Sequence, residues 1–267
     1  MIPSLPRFRP LALIGCLALL PAAAFAEDPS DPAFPGVVAP APDATHWGLG
    51  LGAGSSGARY RGEGYQTSAI PLILYDSTWL HAFGSTLDLK LPSYEALHFA
   101  LRAKYALGDG YRASDSAYLY GMDERKGSLM LGGAASWKTP LATFSIEWLK
   151  AVNNSHGQQA QFTVEHPFRY GRLEIVPHLG AQWSDSSYVD YYYGVTAPEA
   201  TAARPAYRAG ASTDVSAGLR LTYALKVNQM LLLDVADTRR GKGVTDSPLS
   251  DRSSVPSLKL GYLYQFK

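Results

Sequence analysis

The stretch 255–266 constrains the fold more than any other part of the chain. Leu258, Leu260, Tyr262, Tyr264 and Phe266 fall on one face of an extended strand, while Ser257, Lys259, Gly261 and Gln265 fall on the other. Leu263 is the one apolar residue on the polar side. Alternation with a period of two means a strand with one oily and one polar face. A soluble sandwich would turn that oily face inward, and a membrane barrel would turn it toward lipid. Here the oily face ends in three aromatics, as a lipid-facing strand does where it reaches the interfacial girdle. The expected fold is therefore all-β: an antiparallel transmembrane barrel of the outer-membrane type, with lipid around it.

The order polar–x–Gly–x–x–aromatic–x–aromatic, carried by Lys259, Gly261, Tyr264 and Phe266, is similar to the C-terminal insertion signal of such barrels. Lys267 departs from the usual aromatic terminus. At the other end, Arg7 and Arg9 precede an apolar run over 11–20, and Ala24-Phe25-Ala26 has the small-x-small form of a cleavage site. That anatomy predicts a secretory signal peptide over 1–26. The rival is a lipoprotein box at Leu13-Ile14-Gly15-Cys16, which has little apolar sequence ahead of it and is interrupted by Pro10. Residues 27–45 carry five prolines among small and acidic residues and read as an extended periplasmic tail, either a spacer or a tether for a partner. The barrel is expected over 46–267.

Cys16 is the only cysteine, so an exported chain cut after Ala26 has no disulfide to hold it. Closing a sheet on itself pairs every backbone group and supplies the alternative. The net charge is +1 with no basic block, which argues against a nucleic-acid partner. The 17 Tyr and 25 Gly suit aromatic girdles and closely packed strands.

From Trp47 the chain is a series of alternating segments separated by two kinds of connection. Turns at Asp76-Ser77, Thr139-Pro140, Tyr170-Gly171 and Lys226-Val227 are tight, whereas 107–127, 184–213 and 238–254 are long and polar. Short turns at one end and long loops at the other are the asymmetry of membrane barrels. The segments number eleven, and a closed barrel with both termini on one side needs an even count. The misfit lies between Trp47 and Lys90, where a strand is either split at Gly84 or miscounted, so ten to twelve strands are expected.

Three pieces go beyond alternation: Gly121-Met122-Asp123-Glu124-Arg125-Lys126; Tyr191-Tyr192-Tyr193-Gly194-Val195 with Glu199-Ala200 behind it; and Val244-Thr245-Asp246-Ser247-Pro248-Leu249. Arg204-Pro205-x-Tyr207 continues the second. In this order, ahead of a C-terminal barrel strand, they resemble the MltA-interacting protein (MipA/OmpV) family of outer-membrane proteins over roughly Trp47 to Phe266. The resemblance implies an outer-membrane barrel without catalytic residues or cofactor. In its best-known member it also implies a scaffold joining a periplasmic lytic transglycosylase to a peptidoglycan synthase. Other members look like adhesion or osmotic-response porin-like proteins.

Read on their own residues, Tyr188, Tyr191, Tyr192 and Tyr193 form either an interfacial belt or a recognition loop rising above the membrane. Residues 123–126 read as a solvated strand entrance, unless Arg125 turns inward toward Glu147 or Glu165. Asp246, Ser247 and Pro248 read as a turn. The charges Arg102, Lys104, Glu147, Glu165, Arg172, Glu174, Arg220 and Lys259 sit opposite the apolar face. They either interlock as a plug or line a small polar path, and their mixed sign favours the plug. The six histidines show no zinc spacing, and no nucleophile elbow surrounds any serine. The expected function is a non-enzymatic scaffold or interaction protein tied to cell-wall remodelling. A small channel is the second reading, and a hydrolase at the barrel rim the third.

Overall fold

The computed structural model describes residues 45–266. The leader expected over 1–26 and nearly all of the proline-rich stretch lie outside the described residues. From His46 onward the chain is almost wholly antiparallel sheet. The strands are β1 (His46–Ser56), β2 (Gln66–Asp76), β3 (Leu80–Phe83), β4 (Thr86–Lys90), β5 (Leu97–Tyr105), β6 (Leu129–Lys138) and β7 (Thr143–Ala151). They continue with β8 (Gln158–Glu165), β9 (Phe168–Tyr170), β10 (Leu173–Ser184), β11 (Ser212–Lys226), β12 (Gln229–Arg239) and β13 (Ser254–Phe266). Each pairs with its sequence neighbour, except that β8 and β9 both pair with β10. These two are one stave interrupted at His166-Pro167, where proline has no amide to give the ladder. β13 returns to β1 in register from Trp47↔Phe266 to Ser56↔Ser257, so the sheet closes as a barrel of twelve staves.

The odd count is resolved at Gly84. What reads as one strand from Trp79 to Lys90 is a hairpin, β3 and β4, reversed at Gly84-Ser85 with Gly84 at φ +60°. A left-handed backbone at that point needs glycine. The Gly84 amide donates to the Ile73 carbonyl at 3.2 Å, but β3 meets β2 only from Leu74 to Asp76. The rest of β2 therefore presents a free edge on that side. Ile73 faces this edge, and so does Pro71 two residues earlier, where a missing N–H leaves no donor unpaired.

The outer face identifies the solvent it is built for. Leu49, Leu51, Ile73, Leu101, Ile146, Phe162, Leu179, Val215, Leu219, Val235, Leu258 and Leu260 all point outward, Leu51 with 74% of its surface exposed. A sandwich would have buried these residues between its sheets. A barrel leaves them out as a continuous apolar band for lipid. Aromatics gather at the end of the tight turns, where Trp47 stacks on Phe266 at 4.1 Å and Tyr264 meets Phe266 edge-on at 4.8 Å. Rings with one wet and one apolar side belong at that depth.

The buried residues lie mainly at the opposite end, among the long loops. Tyr60, Tyr111, Leu119, Met122, Val195 and Leu249 form one cluster. Met130, Leu149, Ala151, Tyr188 and Tyr192 form a second, and Val189, Ala209 and Val244 a third. The loops thus fold in over the barrel mouth.

Candidate functional site

Two polar systems occupy the inside of the barrel, a charge layer on the staves and a plug built from the loops. In the first, alternation turns Asp88 of β4, Arg102 and Lys104 of β5 and Glu147 of β7 inward. Arg102 donates through Nε and Nη2 to both Asp88 oxygens at 2.7 Å and through Nη1 to Glu147, which also accepts from Lys104 Nζ at 2.9 Å. The forked guanidinium matches a carboxylate with two parallel bonds, so it fixes geometry as well as charge. Across the lumen, His178 Nε2 lies 3.2 Å from Asp234, and Arg220 lies 3.6 Å from Asp234 and 3.5 Å from Glu165. Glu174 pairs with Arg169 at the turn end. Arg172 precedes β10 and donates to the Leu225 carbonyl on the rim, outside the lumen where its alternation had put it. Lys259 is exposed and has no ion-pair partner among the described residues.

The plug is where the three sequence pieces meet. Residues 185–211 contain a helix, α1 (Ser186–Tyr193), capped by Asp185, whose carboxylate accepts from the Tyr188 amide at 2.8 Å. Tyr188 and Tyr192 pack on Met130 and Leu149, which are inward-facing residues of β6 and β7, so α1 sits within the mouth. Tyr193 stacks on Tyr60 at 5.3 Å, and Arg240 lies over its ring at 5.4 Å. These tyrosines are therefore neither an interfacial belt nor an exposed recognition loop. The arrangement was available in the sequence as an Asp N-cap followed by Tyr188, Val189 and Tyr192 at helical spacing.

Each piece ties one loop to another. Arg125 does not reach Glu147 or Glu165. It donates to both Glu199 oxygens, at 2.8 and 3.0 Å, and to the Tyr191 carbonyl at 3.0 Å, joining 106–128 to 185–211. Arg204 is buried, and its guanidinium reaches the carbonyls of Glu199, Tyr118 and Tyr120. The Ser247 hydroxyl donates to the Tyr193 carbonyl at 2.6 Å and accepts from the Leu249 amide, so 240–253 is fastened to α1. Asp246 caps a short helix, α2 (Lys242–Thr245), whose Gly243 carbonyl accepts from the Tyr207 hydroxyl at 3.1 Å. Gly121 supplies a φ of +80°, and Met122, beside it, is in the buried cluster with Val195. Gly194 has no room for a side chain, because a Cβ there would lie 2.4 Å from the Asp190 carbonyl.

The first loop joins through residues with no local signal. Arg59 pairs with Asp109 at 2.5 Å, and Asp109 also accepts from the Tyr188 hydroxyl. Ser116 donates to the Arg61 carbonyl at 2.6 Å, and Arg240 to the Arg59 carbonyl at 2.8 Å. These partners are brought together only by the closed fold. Asp88 is different, since it lies between Leu87 and Leu89. Its inward side was hidden only by reading β3 and β4 as one strand.

Burial sets the charge states of the plug. It pushes the Tyr60 and Tyr188 phenols well above their ordinary range, helped at Tyr188 by Asp109. The Tyr111 phenol is pushed up to about 12 by burial, partly offset by Arg125. Burial also opposes the charge on Glu199. The Thr196 hydroxyl and amide, the Asp123 amide and Arg125 outweigh it and hold the carboxyl below the ordinary range. Neutral phenols around buried ion pairs make a cohesive polar core.

A family model described as MltA-interacting protein MipA matches residues 49–266. The putative outer membrane protein YiaT of Escherichia coli K12 is 28% identical over 229 residues, which is 84% of this chain and 92% of that protein. The outer membrane protein OmpV of Vibrio cholerae is 30% identical over 153 residues, 56% of this chain and 60% of that protein. The MltA-interacting protein of Escherichia coli K12 is 25% identical over 224 residues, 81% of this chain and 89% of that protein.

Proposed function

Because the chain belongs to the MltA-interacting protein family and is an outer-membrane β-barrel, we propose that it acts without catalysis, as a scaffold on the inner surface of the outer membrane. Its partner in this reading is a periplasmic enzyme that cleaves peptidoglycan, and through that enzyme a peptidoglycan synthase. The surfaces offered to them are the tight turns and the proline-rich stretch before β1.

The observation that carries this reading is the filled mouth. Met130, Leu149, Tyr188 and Tyr192 are buried where a porin would keep water. Four loops are cross-tied above them by Arg59–Asp109, Arg125–Glu199, the bonds of Arg204 to the Tyr118 and Tyr120 carbonyls, and the bonds of Ser247 and Arg240 to the Tyr193 and Arg59 carbonyls. A barrel closed in this way is suited to presenting a rigid surface and not to passing solutes. The name of the Escherichia coli relative, MltA-interacting protein, points to the same class of partner. A rim hydrolase would need a serine or similar nucleophile within reach of a base. Ser155, next to His156, instead shares its hydroxyl with Ser128 at 2.9 Å, and no serine–histidine hydrogen bond occurs among the described residues.

Affinity capture from solubilised envelopes tests the scaffold. The full chain should co-elute with a peptidoglycan-cleaving enzyme, and deletion of 27–45 should reduce that recovery several-fold. Eluates lacking any cell-wall enzyme, even after crosslinking in intact cells, would count against it.

A further inference from the structure

The lumen is filled at the loop end but not at the turn end. Between β3 and β8 the staves enclose a cavity of about 820 Å³. Its layers follow the alternation of β6 and β7. Buried Met130 and Leu149 stand at its loop end, in register with Lys104 and Gly132; Glu147 comes next along the ladder, then Ser136 and Ser145, and Lys138 stands at the mouth. The cavity is therefore a blind vestibule. Both chain termini of the barrel lie at its open end, which is the periplasmic side of an outer-membrane barrel.

Charge in the vestibule is unevenly distributed. Arg102 and Lys104 are matched by Asp88 and Glu147, and Lys90 is matched by Asp76. The side chains of Lys138 and His98, near each other on β6 and β5 at the mouth, have no ion-pair or hydrogen-bond partner among the described residues. The unmatched positive charge at the entrance is thus that of Lys138, with the His98 ring beside it as a hydrogen-bonding group, and low-dielectric walls focus its field on entering anions. The walls below are lined by uncharged hydrogen-bonding groups. Ser136, Ser145 and Thr163 supply hydroxyls and Gln161 an amide, held only by a 3.5 Å contact from Gln161 to Thr163. The volume lies within the range of roughly 300–1,000 Å³ typical of small-molecule sites, too small for a polymer.

We propose that this vestibule binds a small sugar acid from the periplasm, its carboxylate at Lys138 and His98 and its hydroxyls on the serine, threonine and glutamine wall. The site is independent of the scaffold reading, since it faces inward while a docked enzyme would rest on the turns. Sugar acids reach the periplasm from two sources, free uronic acids and the muramic acid of the cell wall, which share this chemistry.

Isothermal titration of the full chain folded in detergent micelles tests the site, with glucuronate, N-acetylmuramic acid and neutral N-acetylglucosamine as probes. Both acids should bind saturably, with the neutral sugar at least tenfold weaker. Tighter binding of N-acetylmuramic acid would assign a cell-wall source, and equal binding a general sugar-acid site. Lys138→Glu should weaken both acids at least tenfold, whereas Lys226→Glu, the same charge change on the rim outside the cavity, should leave them unchanged. Heat-modifiable gel mobility reports folding, and Lys138→Gln gives the same readout should the glutamate variant misfold. Absence of acid binding by the folded wild type, or binding unaltered by loss of the Lys138 charge, would overturn the proposal.

Discussion

Glu199 shows how a single residue holds the plug. It accepts from Arg125, from the Thr196 hydroxyl and amide and from the Asp123 amide, so two loops, 106–128 and 185–211, meet at one carboxylate. Glu199→Gln would leave Arg125 charged and without its partner in a nearly dry setting. Removing one partner of a buried pair costs about 3–5 kcal/mol. The expected readout is a lower thermal midpoint for the near-UV signal of the plug tyrosines, with far-UV β-structure retained. The pH dependence has the same origin. The carboxyl is held below its ordinary range, so its contribution is complete above the unfolded value and lost as pH falls through the folded one. The plug should therefore loosen in acid before the barrel does, measured as protease cleavage in 106–128 and 185–211. Cleavage independent of pH down to the strongly acid range would contradict this. None of the plug's long-range partners could be read from sequence. Arg125 offered inward carboxylates as plausible mates, and only the folded loops bring Glu199 to it.

At the scale of elements, the strands were legible and the loops were not. A strand announces itself by local alternation, and each outward leucine or aromatic keeps its parity whatever its neighbours do. The β3–β4 hairpin is only one of two readings of the sequence, a split at Gly84 or a miscount, because Phe83-Gly84-Ser85-Thr86 has none of the Asn-Gly or Asp-Gly signals of a tight reversal. The α1 helix escaped because three consecutive tyrosines suggest a membrane interface before they suggest a buried face. The seam between β1 and β13 gives a direct test of closure. Gly48, Gly50 and Gly52 line the inward side of β1, and a Cβ at Gly50 would lie 2.0 Å from the Tyr262 carbonyl oxygen. Gly50→Val should therefore prevent closure, seen as loss of the compact heat-modifiable band. Gly64→Ala, placed where nothing lies within 4 Å, should leave it intact. Equal folding of the two would show that the seam tolerates a side chain and that the close approach of these strands is not required.

At the scale of the molecule, the outside is made for lipid and the inside is a layered solid above a blind vestibule. Apolar rings and leucines face outward, paired charges cross the middle, and tyrosines with cross-tied loops fill the upper mouth. Mixed charge alone left plug and path both open. The loops support the plug reading, since α1 stands on Met130 and Leu149 over the charge layer. Conductance in planar bilayers measures this most directly. The intact chain should insert without steady ion-conducting steps, and a variant lacking residues 186–209 should conduct. Steady openings by the intact, correctly folded chain would contradict the account.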